Sequence, residues 1–203
     1  MNLPNLLTLS RVPILFFIAV LMAIDAVGAA TAALVLFIIA GITDWLDGAL
    51  ARRMGLVSDF GKLMDALTDK ILVVGAMVAI VVFRLAPPYT LFLVLLVLSR
   101  EFLITGMRMM AASRGIVIAA EKAGKQKTVT QILAVGLLLA APVLSGDLAA
   151  WFGEAAFWEH AGEGVRTAGV VMFFLATLVT VTSGLRYFLK YWPQLGAEVK
   201  AGS

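Results

Sequence analysis

Six apolar stretches, each near the roughly twenty residues needed to cross a bilayer, recur along this chain. They run at about 11–27, 29–52, 59–83, 88–112, 124–145 and 165–189, with short linkers and no low-complexity tract between them. Lipid offers the backbone no hydrogen-bond partners, so segments of this length must satisfy their own N–H and C=O groups as helices. The chain is 62% hydrophobic and only 14% charged, against about a quarter charged in a soluble domain. Mean hydropathy is +1.00. The expected fold is therefore an all-α integral membrane protein, a single six-helix bundle over residues 1–203. In MNLPNLLTLSR, Leu3, Leu6 and Leu7 share one helical face. That predicts a short interfacial helix at 1–10 leading into the first span. A cleaved signal peptide is the competing reading, and the five spans that follow favour a retained helix.

Lysine and arginine set the expected orientation. Arg52, Arg53, Lys62, Arg114, Lys122, Lys125 and Lys127 fall in or beside the loops at 52–62 and 113–127, and Lys190 and Lys200 follow the last span. The opposite side has Arg84 and Arg166 among Asp25, Asp147, Glu154, Glu159 and Glu163. Both termini are thus expected in the cytoplasm. The net charge of +3 reads as this orientation bias, not as nucleic-acid binding. The stretch 146–164 reads as an outer loop, with Trp151, Phe152, Phe157 and Trp158 as an interfacial aromatic belt.

Against this apolar background, TDWLDGALARRMGLVSDFGKLMDALTDK places Asp44, Asp47, Asp65 and Asp69 at membrane depth. An ionised group there is costly, by a few kcal/mol or more, and marks function more often than packing. Asp44, Asp47, Gly48 and Ala51 lie three, four and seven apart, on one face of span two. Gly61, Asp65 and Asp69 recur every four residues on one face of span three. In an antiparallel hairpin about residues 56–57, Asp44 pairs in depth with Asp69 and Asp47 with Asp65. At ~1.5 Å per residue, Asp44 lies about 12 Å inward from Arg52. Two divalent cations would cancel four carboxylates, and such a pair can clamp a phosphorus and its leaving oxygen. The chain has no cysteine and one histidine, His160 in a polar stretch, so any metal site uses oxygen donors. That favours magnesium, manganese or calcium over zinc. Gly48, Ala51 and Gly61 leave room between the helices, and Arg52 can grip a phosphate bidentately. Close helix packing is the alternative for the small residues, and Asp59 and Arg53 read as solvated loop charges.

This run resembles the signature of the CDP-alcohol phosphotransferases, D-x2-D-G-x2-A-R-x8-G-x3-D-x3-D, with every fixed position filled. The resemblance implies a six-helix membrane enzyme, often homodimeric. Asp44, Asp47, Asp65 and Asp69 would ligate two divalent cations, Mg2+ or Mn2+. Asp69 would also act as the catalytic base toward an acceptor hydroxyl. Gly48, Ala51, Arg52 and Gly61 would frame the CDP moiety, with Asn5 and Thr8 reaching it from the N-terminal helix. Capping and interfacial anchoring are equally open for that last pair. MNLPNLLTLSR, SREFLITGMRMMAASRGI and GKQKTVTQ are similar to the bacterial branch that uses CDP-diacylglycerol and glycerol 3-phosphate. That branch implies a place in phospholipid synthesis at the bacterial inner membrane, with the site facing the cytoplasm.

An anionic acceptor also fits the residues themselves. Arg11, Arg100, Arg108, Lys125 and Lys127 place cations around the same end as the aspartates, as a phosphate pocket requires. Lysines there can instead snorkel to headgroups, and Glu101 and Arg108, seven apart on one face, can pair. Three rival readings remain. A sister enzyme would use phosphatidylglycerol or inositol phosphate as acceptor. A prenyltransferase would leave Gly48, Ala51 and Arg52 unexplained. A divalent-cation transporter would need polar residues beyond Asp44 and Asp69, where both spans are apolar.

Overall fold

The computed structural model describes the backbone of residues 3–54, 59–113 and 122–201, and side chains over 10–43, 70–113 and 126–193. Among these residues all regular structure is helical, with short turns at 24–28, 83–89 and 153–154. The helices are α1 (Leu3–Ala23), α2 (Ala29–Met54), α3 (Asp59–Val82), α4 (Thr90–Ser113), α5 (Lys122–Pro142), a π-helical turn (Val143–Leu148), α6 (Ala149–Phe152) and α7 (Ala155–Ala201). Among the described residues three stretches are long and apolar enough to cross a membrane: Thr90–Ser113, Gln126–Phe152 and Ala155–Pro193. Shorter apolar helical stretches cover Ser10–Ala23, Ala29–Thr43 and Lys70–Val82. Large apolar side chains such as Phe16, Phe92, Phe102, Leu178 and Leu189 face outward. A water-facing surface would not tolerate so much exposed apolar area, whereas lipid does. The residues at 1–10, expected as a separate helix, continue without a break from Leu3 into α1, which carries Pro13 within it.

The stretch expected as an outer loop, 146–164, is almost all helix. α5 passes Pro142 into the π-helical turn, and α7 begins at Ala155. Proline lacks the N–H that would continue the regular ladder, which is where the backbone widens. The turn between α6 and α7 is reduced to Gly153 and Glu154. Gly153 sits at φ 74°, ψ −154°, a region essentially reserved for glycine. Trp158 contacts Phe157 edge-on at 5.1 Å and Phe152 at 6.4 Å across this turn.

Helix directions follow from particular contacts. Leu15 of α1 fills the space beside Gly75 of α3, and Leu21 and Met22 near the end of α1 line one cavity with Leu85 just past the end of α3, so those helices run in parallel. Leu138 of α5 lies on Gly169 of α7, and Ala141 and Ser145 lie on Gly162, so α5 and α7 are antiparallel. Glycines at these points let the backbones approach closely, as membrane helices require when lipid supplies no hydrophobic drive. α1 and α5 each pack on both α2 and α3, and α4 packs on α3 and α7. Ile18, Phe37, Ala40, Ala76, Met77, Val97, Leu138 and Phe173 join six of these helices in one core. The starts of α1, α3 and α5 and the ends of α2, α4 and α7 therefore share one end of the bundle.

Asp147, read from sequence as an outer-side charge, has a structural role at the other end. It is buried, and one carboxylate oxygen accepts the Gly28 backbone N–H at 2.7 Å. The other accepts the Thr31 backbone N–H at 2.7 Å and the Thr31 hydroxyl at 2.6 Å. The first turn of α2 contains no acidic residue, so its orphan N–H groups are capped from across the bundle. At the same end Arg166 Nε donates to the Leu85 carbonyl at 3.0 Å, closing the α3–α4 turn onto α7.

Candidate active site

The eight signature residues are divided between two helices at one end of the bundle. Asp44, Asp47, Gly48, Ala51 and Arg52 lie in the second half of α2, and Gly61, Asp65 and Asp69 in the first half of α3. The backbone is helical through both stretches, so the spacings three, four and seven, and four and eight, do put each set on one helix face. The side chains of these residues lie outside the described residues, as do those of Asn5 and Thr8 on α1 and Lys125 on α5. Among the described residues, no three acidic or histidine side chains converge on a metal site. The donor set carried by α2 and α3, four carboxylates and nothing softer, is what hard divalent cations select.

The described cations are placed as follows. Arg11 on α1 is 1% exposed, among the largest fully buried side chains of the protein. Leu15 lies on Gly75, so Arg11, one turn earlier, stands level with residue 71 of α3. Next to Asp69 in sequence, Lys70 donates to the Thr105 hydroxyl of α4 at 2.8 Å. That contact sets α3 against α4, and it brings Arg108 level with the 65–69 stretch. Arg108 itself is exposed.

Arg100 and Lys127 meet at Glu101, which is 5% exposed. The Lys127 ammonium donates to Glu101 Oε1 across α5 and α4, and Arg100 NH1 reaches the same oxygen at 3.2 Å. Arg100 is committed further to α7: its Nε donates to the Thr180 carbonyl at 3.1 Å and its NH2 to the Ser183 hydroxyl at 3.3 Å. Gln131 Nε2 donates to the Thr180 hydroxyl at 2.9 Å, completing a polar layer through α4, α5 and α7. The alternative in which Glu101 pairs with Arg108 gives way to Glu101 with Lys127 and Arg100. Seven residues along a helix is about 10.5 Å of axis, whereas Lys127 arrives from the facing helix at hydrogen-bonding range. Sequence reasoning did not find Lys70, Thr105, Gln131, Thr180 or Ser183. A buried glutamate inside an apolar span was the available signal that Glu101 had partners.

Geometry of this kind, a carboxylate hairpin with cations on the neighbouring helices, can be set against known proteins. The sequence profile described as CDP-alcohol phosphatidyltransferase matches residues 1–182. The chain belongs to that family. It is 40% identical over 96% of its length to a CDP-diacylglycerol–glycerol-3-phosphate 3-phosphatidyltransferase of Bacillus subtilis (strain 168), covering 97% of that protein. Proteins of the same name from Salmonella choleraesuis (strain SC-B67) and Escherichia coli (strain K12) are 34% and 32% identical, each with 92% of both chains aligned. Phosphatidyltransferases of this family generally depend on divalent metal, which the oxygen-only donor set of α2 and α3 suits. The family match ends at residue 182, so it takes in Arg100, Glu101, Lys127, Gln131 and Thr180 of the polar layer and stops short of Ser183.

Proposed function

We propose that this protein transfers the phosphatidyl group of CDP-diacylglycerol to glycerol 3-phosphate, giving phosphatidylglycerol phosphate and CMP. The observation that carries the reading is likeness over nearly the whole chain to relatives named for that reaction. The complete aspartate signature at one end of the bundle supports it.

In this reading Asp44, Asp47, Asp65 and Asp69 would hold two divalent cations, magnesium or manganese, which would supply charge to offset that of the diphosphate. Gly48, Ala51 and Gly61 give the CDP moiety access to the helix backbones, and Arg52 grips the diphosphate, with Asn5 and Thr8 completing the nucleotide site. The primary hydroxyl of glycerol 3-phosphate attacks the phosphorus that bears the lipid. Asp69 takes the hydroxyl proton as the new P–O bond forms, and the bond to CMP breaks. Arg108, Lys125, Lys127, Arg100 and Arg11 supply the cationic surroundings of the acceptor phosphate. Of these, Arg100 contributes from a fork already tied to α7 and Glu101, so its part is field more than direct contact.

The proposed setting is a bacterial cytoplasmic membrane crossed six times, with a short interfacial segment ahead of the first span. Both termini and the site face the cytoplasm, and the protein works as a homodimer. A site at the end of the bundle admits a lipid from the side and a soluble acceptor from water.

The test is CMP release by purified protein in detergent, with CDP-diacylglycerol, magnesium or manganese, and a panel of acceptors. Release that requires both the metal and glycerol 3-phosphate is the expected result. Release driven instead by phosphatidylglycerol or inositol phosphate would keep the chemistry and replace the acceptor. Metal uptake into sealed vesicles without CMP release would replace the enzyme with a transporter.

A further inference from the structure

We infer that Glu101 is a positioning residue for the acceptor site, acting through Lys127. The inference rests on the function proposed above and adds a residue to it that neither the signature nor the comparisons assign.

Three features of the buried layer lead to it. First, a lysine ammonium on a long flexible stem loses rotamer freedom when it grips a phosphate, and a contact that fixes it beforehand reduces that cost. Lys127 is fixed by one contact among the described residues, Glu101 Oε1. An ammonium has more donors than that contact uses, so the remaining N–H groups stay available to an anion. Second, Glu101 is itself held. Arg100 donates to the same oxygen, while its other nitrogens are tied to the Thr180 carbonyl and the Ser183 hydroxyl. Ser183 in turn donates to the Thr180 carbonyl at 3.0 Å, so the anchor on α7 is braced at both ends. Third, the space for Arg100 is provided by Gly184. A Cβ there would stand 2.5 Å from Arg100 Cγ and 2.7 Å from Nε. A chain of contacts therefore runs from Gly184 through Arg100 and Glu101 to Lys127.

Charge balance points the same way. Arg100 and Lys127 together outweigh Glu101, and all three side chains are about one-tenth exposed or less. A buried ion triad of this kind is a weak source of stability, because desolvation consumes most of the Coulombic gain. What it does supply is a fixed ammonium and one surplus positive charge. Both are useful to an acceptor that arrives as a phosphate. Lys70, held on Thr105 across the α3–α4 contact, links this layer to the helix that carries Asp69.

The experiment is a steady-state comparison of full-length wild type, Glu101→Gln, Lys127→Gln and the double variant. CMP release is measured while glycerol 3-phosphate and CDP-diacylglycerol are varied separately. Each single substitution is expected to raise KM for glycerol 3-phosphate by about fivefold or more, leaving KM for CDP-diacylglycerol within about twofold. The double variant is expected to be no worse than Lys127→Gln alone, because both remove one function. Multiplying effects, or equal changes for both substrates, would overturn the inference and leave Glu101 a purely structural residue. Should Glu101→Gln not fold, Glu101→Asp and Ser183→Ala loosen the same chain more gently. Both are expected to raise the acceptor KM alone, and an unchanged acceptor KM in both overturns the inference. Wild type that prefers another phosphorylated acceptor overturns only the choice of glycerol 3-phosphate, and Glu101 is then decided on that acceptor's KM. Wild type that prefers an uncharged acceptor, or shows no turnover, overturns both.

Discussion

Replacing Asp147 by asparagine isolates a single interaction that holds the end of α2 remote from the signature. The native carboxylate accepts three hydrogen bonds of 2.6–2.7 Å from Gly28 and Thr31, and is only 4% exposed. Asparagine keeps the volume but has one acceptor oxygen, so either the Gly28 bond or both Thr31 bonds are lost. Its amide nitrogen then faces a backbone donor. A hydrogen bond to a charged acceptor contributes about 1.5–3 kcal/mol, and charge opposite a helix N-terminus roughly 0.3–1 kcal/mol more. A total loss of about 2–4 kcal/mol is therefore expected. At about 2–4 °C per kcal/mol for a chain of this size, the melting midpoint should fall by roughly 5–15 °C. Tryptophan fluorescence in detergent reads this directly, since the chain has 4 tryptophans and Trp151 lies beside Gly28. CMP release well below the melt should be unaffected, because Asp147 is at the other end of the bundle from the signature. A midpoint within about 2 °C of wild type would refute the argument that this distant cap anchors α2.

Three further outcomes are expected. At Gly162 a Cβ would stand 2.8 Å from Ser145 Cβ and 3.0 Å from the Ala141 carbonyl oxygen. Gly162→Ala should then cost about 1–3 kcal/mol, because backbone cannot move aside as a side-chain tip can. A melt equal to wild type would show that α5 and α7 are not in close contact there. Chelation should stop CMP release, and magnesium or manganese should restore it. In the loaded enzyme Asp69→Asn should lower kcat by about a hundredfold or more. Release insensitive to chelator, or an active Asp69→Asn, would remove the aspartates from the chemistry.

The helices that carry the signature are legible in the amino-acid sequence. A signature depends on spacing, and helix geometry converts spacing into faces without further information; the backbone is helical at all eight signature positions. Three features could not be read that way. The stretch 146–164 mixes small, charged and aromatic residues and looks like a loop, yet it is helical on both sides of a turn made by Gly153 and Glu154, both at positive φ. Glu101 had a plausible partner on its own face in Arg108, and the true partners came from α5 and from its neighbour Arg100. Asp147 gave no local sign of its role, because the N–H groups it caps are 116 and 119 residues away.

Hydropathy and the helical period are enough to make this chain helical and apolar, and to set eight residues of α2 and α3 at one end as carboxylates, small residues and an arginine. Both act over a few turns of chain, which is why the linear order of residues carries them. How each buried charge is balanced is a matter of packing between helices. Arg100 is turned onto α7 through the gap at Gly184, Lys127 is held by Glu101, and Asp147 is spent on the start of α2. In a low-dielectric interior a charge must find whichever opposite group or backbone dipole the fold brings within reach. That choice belongs to the arrangement of whole helices, and no local pattern encodes it.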